Sequence, residues 1–236
     1  MEQNKQRIVV KVGTSTLTHN SGALDLWSME HLVRTLADLQ GMGHEVILVS
    51  SGAIAVGTAK LGLSERPKEL RMKQAAAAVG QCRMMHIYDK FFSEYNRSMA
   101  QILLTGDDVE DPERAEHLSN TFSALLEMGV IPVVNENDSV SSAEIETGRH
   151  KVLGDNDTLS AIVAELCRAD LLVLLSDIDG LYDADPKAHP EAKLLHQVTE
   201  LTPEILEMAG GAGSEGFGSW QNWTVALITL AVVIFC

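Results

Sequence analysis

Five short apolar runs constrain this chain more than any other feature: RIVVKV from Arg7, EVILVS from Glu45, MAQILL from Met99, GVIPVV from Gly129 and DLLVLLS from Asp170. Each has the length of a strand and the nearly unbroken hydrophobicity of one covered on both faces. Between them the period changes. Met29, Leu32, Val33, Leu36 and Leu39 recur at helical spacing, and Gly41 and Gly43 supply a stop signal before the second run. The segment Leu70 to Tyr95 is alanine-rich and then aromatic, and Asp111 to Met128 carries Pro112 where a first helical turn tolerates it. Leu159, Ile162, Val163, Leu166 and Cys167 make a further stripe, and Thr202, Pro203 and Glu204 read as an N-cap, a first-turn proline and a dipole-favoured carboxylate. Strands alternating with helices predict an α/β fold, a mostly parallel sheet covered by helices.

Composition narrows what such a fold can serve. With 236 residues and 45% hydrophobic content, one α/β domain with a substantial core is the simplest reading. A formal net charge of −15 argues against a general nucleic-acid or anionic-membrane surface, both of which need clustered Lys and Arg. An anionic ligand must therefore be held by a local site. Cys82, Cys167 and Cys236 are widely spaced and form no CxxC pair, as expected of free thiols in a reducing cytoplasm. The start, MEQNKQRIVVKVG, has no apolar run of signal-peptide length, and the final stretch from Thr224 to Cys236 falls short of the roughly 18 residues a membrane span needs.

The strands end in polar and glycine residues: KVGTSTLT, SSGAIAVG, TGDD, NENDSV and SDIDGLYDADP. Open α/β sheets bind ligands beyond the carboxyl ends of their strands, so this distribution predicts a site built from several loops, with Gly13, Gly52 and Gly106 among its turns. GxGxxG is absent, and no lysine is followed by Ser or Thr, which excludes a Walker A loop. HExxH and GxSxG are missing as well.

Lys11 interrupts the first strand at its carboxyl end, where an ammonium needs either an exit to water or an anion. Gly13, Thr14 and Ser15 follow it, and backbone N–H and hydroxyl groups of that kind can line a phosphate. The Ser50–Ser51–Gly52–Ala53 turn repeats the device, so two neighbouring turns would form a split anion site. NENDSV and GDNDTLS supply amides and carboxylates. Such residues also serve as ordinary turns and caps, and Asp155 or Asn156 can simply cap the helix whose stripe begins at Leu159. As ligands, a carboxylate such as Asp138 pairs with an ammonium and amides read a carboxylate, which together describe an α-amino acid. Asp157, at a helix start, can orient a phosphate-binding lysine and help place Mg2+. The acidic stretch 174–186 lacks calcium-loop spacing and reads as a strand end with a loop able to wall a nucleotide base.

In order and spacing, VVKVGTSTLT, VSSGAIAVG, AAAAVGQ, QILLT, IPVVNENDSV, GDNDTLSA and LLVLLSDIDGLYDADP resemble the glutamate 5-kinase family of the amino acid kinase superfamily, across roughly Arg7 to Ser214. The resemblance implies a three-layer αβα sandwich with a central, mainly parallel sheet and a kinase domain over 1–214. It implies ATP- and Mg2+-dependent phosphorylation of the L-glutamate γ-carboxylate, the first step toward proline. Position by position, Lys11 is similar to the lysine contacting the transferred phosphoryl group, and Asp157 to the aspartate that organises the catalytic lysines. Ser51, Asp138 and Asn156 match the glutamate-binding residues, and Ser176 and Asp177 the nucleotide-contacting pair. A cytoplasmic homo-oligomer inhibited by proline is implied too. The pattern departs after GGAGS: the family continues with GTGGM and a second, phosphate-clamping lysine, whereas Glu215, Gly216, Phe217 and Gly218 stand here and no Lys or Arg follows Lys193. Residues 215–236 are thus expected to be a divergent apolar tail with no PUA domain. Two other readings stand beside the kinase: another amino acid kinase such as acetylglutamate kinase, and a glutamate-binding protein without the clamp.

Overall fold

The computed structural model describes residues 5–140, 156–176, 180–184, 188–198 and 229–234. The five apolar runs become strands β1 (Arg7–Val12), β2 (Glu45–Val49), β3 (Met99–Leu104), β4 (Ile131–Glu136) and β5 (Leu171–Ser176). Helices α1 (Thr14–Leu17), α2 (Leu26–Gly41), α3 (Ala53–Lys60), α4 (Leu70–Glu94), α5 (Gly106–Glu110), α6 (Pro112–Glu127) and α7 (Asn156–Leu166) lie between them. A short antiparallel pairing joins β6 (Leu181–Tyr182) to β7 (Leu194–Leu195), and β8 (Thr229–Ile234) is the last described element. The six-stranded sheet runs β3-β4-β2-β1-β5-β8, and every pairing in it is parallel. The stretch 215–236 supplies β8, which pairs with β5 from Leu171↔Thr229 to Ser176↔Ile234.

Alternation along the strands divides the core into two. Ile8, Val10, Val46, Leu48, Ile131 and Val133 face one layer with Met29 and Leu36 of α2 and Met84 and Phe92 of α4. Val9, Ile47, Val49, Val134 and Leu172 face the other with Phe122 of α6 and Leu159 and Val163 of α7. Helices therefore cover both faces, giving the αβα sandwich. Pro112 stands in the first turn of α6 as expected, behind a cap the sequence reading had not named: the Asp111 carboxylate accepts from the N–H groups of Glu113 and Arg114 at 3.0 and 3.1 Å, while the expected Thr202 cap lies outside the described residues. Asp25 caps α2 in the same way.

Helix α3 is absent from the hydrophobic periodicity because packing makes it. It lies backbone to backbone against α4: a Cβ on Gly57 would fall 1.8 Å from the Ala76 carbonyl oxygen, and one on Gly80 would fall 1.8 Å from that of Ala53. Both positions admit only glycine.

Candidate active site

The carboxyl ends of the parallel strands share one edge, and there the side-chain alternation that builds the core turns to chemistry. Lys11 has the parity of Val9 and so points into the layer occupied by α7, although at 9% exposure it is nearly as buried as its apolar neighbours. A buried ammonium needs a partner. The first turn of α7 supplies one: Lys11 Nζ lies 2.5 Å from Asp157 Oδ1. Asp157 is about half exposed, so the pair sits at the boundary between core and solvent. Ser160 Oγ donates to the Asp157 carbonyl at 2.7 Å and tightens that turn.

The two glycine turns meet beside this pair. Ser51 Oγ donates to the Val12 carbonyl at 2.9 Å, and Thr14 Oγ1 donates to Ser51 Oγ at 3.3 Å. Gly52 is left-handed at φ 98°, as the reversal from β2 into α3 requires, and a Cβ there would press to 3.2 Å from Thr14 Cγ2. Gly13 behaves differently. Its backbone is extended, and a Cβ would make ordinary contacts at 3.7 Å with Lys11 Nζ and 3.8 Å with Ser15 Oγ. Gly106 begins α5 behind Thr105, whose hydroxyl and N–H both donate to Asp108 in a capping box, so this glycine serves a helix start.

Asn156 opens α7 and crosses to the second turn, its Nδ2 donating to the Ser50 carbonyl at 3.0 Å. Asp138 follows β4 by two residues and is partly buried; burial lifts its carboxyl above the ordinary 3.8, and the charge of Arg66 draws it part of the way back. Lys11, Ser51, Asn156 and Asp157 are thus tied together through direct contacts and shared turns. Ser176 ends β5 one residue beyond the Val12↔Leu175 pair, at the same edge, while Asp177 lies outside the described residues.

Sequence reasoning did not single out the layer beneath these loops. Ser50 and Asn135 share the parity of Leu48 and Val133 and turn toward α4, where Ser50 Oγ lies 2.9 Å from Tyr88 Oη and Asn135 Nδ2 donates to Gln81 Oε1 at 2.8 Å. Burial raises the Tyr88 phenol well above its usual range, so its hydroxyl stays neutral. The signal was available in the AAAAVGQ run: a glutamine placed on an otherwise apolar and glycine helix face.

Such an edge offers one buried cation, an adjacent carboxylate, hydroxyls and amides, which suits binding and orienting an anion next to a polar small molecule. Among the described residues, no group of three or more His, Cys, Asp or Glu side chains is placed to hold a metal. Asp157, half exposed at this edge, supplies a carboxylate suited to an Mg2+ ion that a bound phosphate brings with it. Nor is any helix among the described residues long and apolar enough to cross a membrane.

Comparison with known proteins agrees with the geometry. The amino acid kinase family model matches residues 6–234. Glutamate 5-kinase of Clostridium perfringens is 55% identical over 212 residues, covering 90% of this chain and 78% of the relative, and that of Listeria innocua is 50% identical over 217 residues, covering 92% and 78%. Among solved structures, an isopentenyl phosphate kinase substrate complex matches with TM-score 0.62 at 18% identity, covering 98% of this chain and 90% of its own. UMP kinase from Ureaplasma parvum gives 0.58 at 16%, covering 99% and 91%, and these two distant likenesses speak to the fold alone. A parallel sheet with its cation at the carboxyl edge, a family model spanning nearly the whole chain and relatives at 50–55% identity lead to one assignment: the chain belongs to the amino acid kinase family, among the glutamate 5-kinases.

Proposed function

We propose that this chain transfers the γ-phosphoryl group of ATP to the γ-carboxylate of L-glutamate. A carboxylate oxygen forms the new bond to Pγ, the bond from Pγ to the bridging oxygen of ADP breaks, and γ-glutamyl phosphate and ADP leave. The observation that carries this reading is the ion pair of the buried Lys11 with Asp157 at the carboxyl edge, in a chain 55% identical to a glutamate 5-kinase. In it Lys11 meets the phosphoryl group in flight, and Asp157 holds the ammonium in place. The reaction needs little covalent help from the protein; positioning and charge neutralisation carry it. Asp138 pairs with the substrate ammonium, Ser51 and Asn156 contact the amino acid, and Ser176 and Asp177 contact the nucleotide. Mg2+, when bound, neutralises phosphate charge. The same reading carries a cytoplasmic homo-oligomer and feedback inhibition by proline, testable by sedimentation and by adding proline to the assay.

Trapping the acyl phosphate as hydroxamate in the presence of ATP, Mg2+ and L-glutamate is expected to give product, and much less with N-acetylglutamate or aspartate. Folded protein that binds glutamate yet yields no hydroxamate would overturn the reaction and favour a binding protein. The departure at Glu215–Gly218 gives that second reading its support. Removing one preorganised charge from a phosphoryl-transfer site costs about 3–4 kcal/mol, on the order of 10²–10³ in rate. Replacing residues 215–219 by a family-like GTGGM segment followed by lysine is therefore expected to raise kcat by such a factor; equal rates would show that the clamp is dispensable here.

A further inference from the structure

Helix α4 places two polar side chains against the sheet, Gln81 and Tyr88, seven residues and so about two turns apart on one face. Each meets the polar end of a different strand: Tyr88 meets Ser50 after β2, and Gln81 meets Asn135 in β4. The amide orientations follow from their partners. Asn135 Oδ1 accepts from the Glu136 N–H at 2.9 Å, so its Nδ2 faces α4 and donates to Gln81 Oε1 at 2.8 Å. Gln81 Nε2 is then turned the other way, fully buried and without a hydrogen-bond partner among the described residues. Asn135 is 2% exposed and Gln81 8%.

A half-satisfied buried amide pair is a poor way to stabilise a core, because apolar residues of the same volume leave no donor unmet. Its place explains it better. The Ser50 N–H donates to the Val134 carbonyl at 2.8 Å, which sets Asn135 beside the Ser50–Ser51 turn. Three residues beyond Asn135 stands Asp138, and the turn between begins at the Glu136 N–H that Asn135 grips. The depth of Gln81 is equally constrained. Its neighbour Gly80 abuts the Ala53 backbone with no room for a Cβ, so α4 lies as close to α3 as two backbones allow, and α3 begins directly after the Ser50–Ser51–Gly52 turn.

We propose that Gln81 is a positioning residue of the acceptor amino-acid site. It holds Asn135 in a single orientation, Asn135 holds the Glu136 N–H, and the turn carrying Asp138 is thereby fixed relative to Ser51 and Asn156. This rests on the glutamate-phosphorylating reading above. It names a residue in a different layer from the loops, acting without contact to either substrate.

The test is a double-mutant cycle with Q81M, which keeps the volume but removes the acceptor, and N135A. Q81M is expected to raise the KM for L-glutamate about tenfold while the KM for ATP stays within twofold. Q81E, which keeps an acceptor oxygen at the same reach, should recover most of the loss. Because Gln81 acts through Asn135, the double variant should be no worse than N135A alone. Unchanged glutamate KM in folded Q81M, parallel rises in both KM values, a Q81E as impaired as Q81M, or additive losses in the double variant would each overturn the proposal. Should Q81M fail to fold, Q81N, one methylene too short to reach Asn135, carries the same expectation. A wild type that makes no acyl phosphate but binds L-glutamate overturns the reaction, and Gln81 is then judged by calorimetric affinity in the same variants. A wild type that does neither overturns both.

Discussion

Lys11 shows how one residue carries two assignments. The strand's alternation commits it to the core, and its charge makes that position tenable only with a carboxylate at the start of α7. K11M, which keeps the volume, is expected to lower kcat by a factor on the order of 10²–10³ while leaving the thermal midpoint near that of the wild type. D157N should also cut activity. In addition it should lose stability, roughly 1–3 kcal/mol in urea unfolding, because it leaves a buried cation unpaired; an unchanged unfolding midpoint would contradict the pairing. Asp138 yields a pH test. Its carboxyl is raised by burial, so ionisation, which a substrate ammonium requires, is lost at a higher pH than for an exposed aspartate. The glutamate KM should therefore climb as pH falls through that raised value, and D138N should flatten the climb. Identical acid limbs in the two proteins would rule this out.

At the scale of elements, what was legible in the sequence followed apolar pattern and cap chemistry. β1 to β5 coincide with the five apolar runs, and α2, α4, α6 and α7 with the stripes, because those elements owe their existence to one buried face. The Asp111–Pro112 start was readable for the same reason, and D111A is expected to cost about 1 kcal/mol by urea titration. α3 escaped because its contact with α4 is made by backbone, which leaves no hydrophobic period to detect. Of the candidate site, Lys11 and Ser51 could be listed from the strand ends and Asn156 and Asp157 from the GDNDTLS cluster at a helix start, but Asn156 reaching back to the Ser50 carbonyl could not, since 106 residues separate them. The pairing of Gln81 with Asn135 was hidden for a related reason. Their meaning depends on which strand faces which helix, and local sequence does not state that.

Across the whole molecule, the two edges of the sheet do different work. The amino edge is closed by charge pairs, Glu45 holding Lys5 at 2.6 Å and Arg7 at 2.7 Å, with Arg7 also donating to the Cys167 carbonyl. The carboxyl edge instead gathers Lys11, Ser51, Asn156 and Asp157, the groups proposed above to meet the substrates. Burial would raise the Glu45 carboxyl, but hydrogen bonds from Lys5 and Arg7 outweigh it and hold the group below its ordinary 4.5. Its folded value thus lies below its unfolded one. The stabilisation is present above about pH 4.5 and is lost as pH falls through the depressed value. Urea midpoints should decline below that point, and E45Q should decline less; equal declines would assign acid lability elsewhere. The Gly57–Gly80 contact, finally, limits how this sequence can drift. Because each glycine already faces backbone, a larger residue at one cannot be accommodated by a smaller one at the other. A genetic screen for suppressors of G80A is therefore expected to return true revertants, or changes that let α4 shift bodily, and none at position 57.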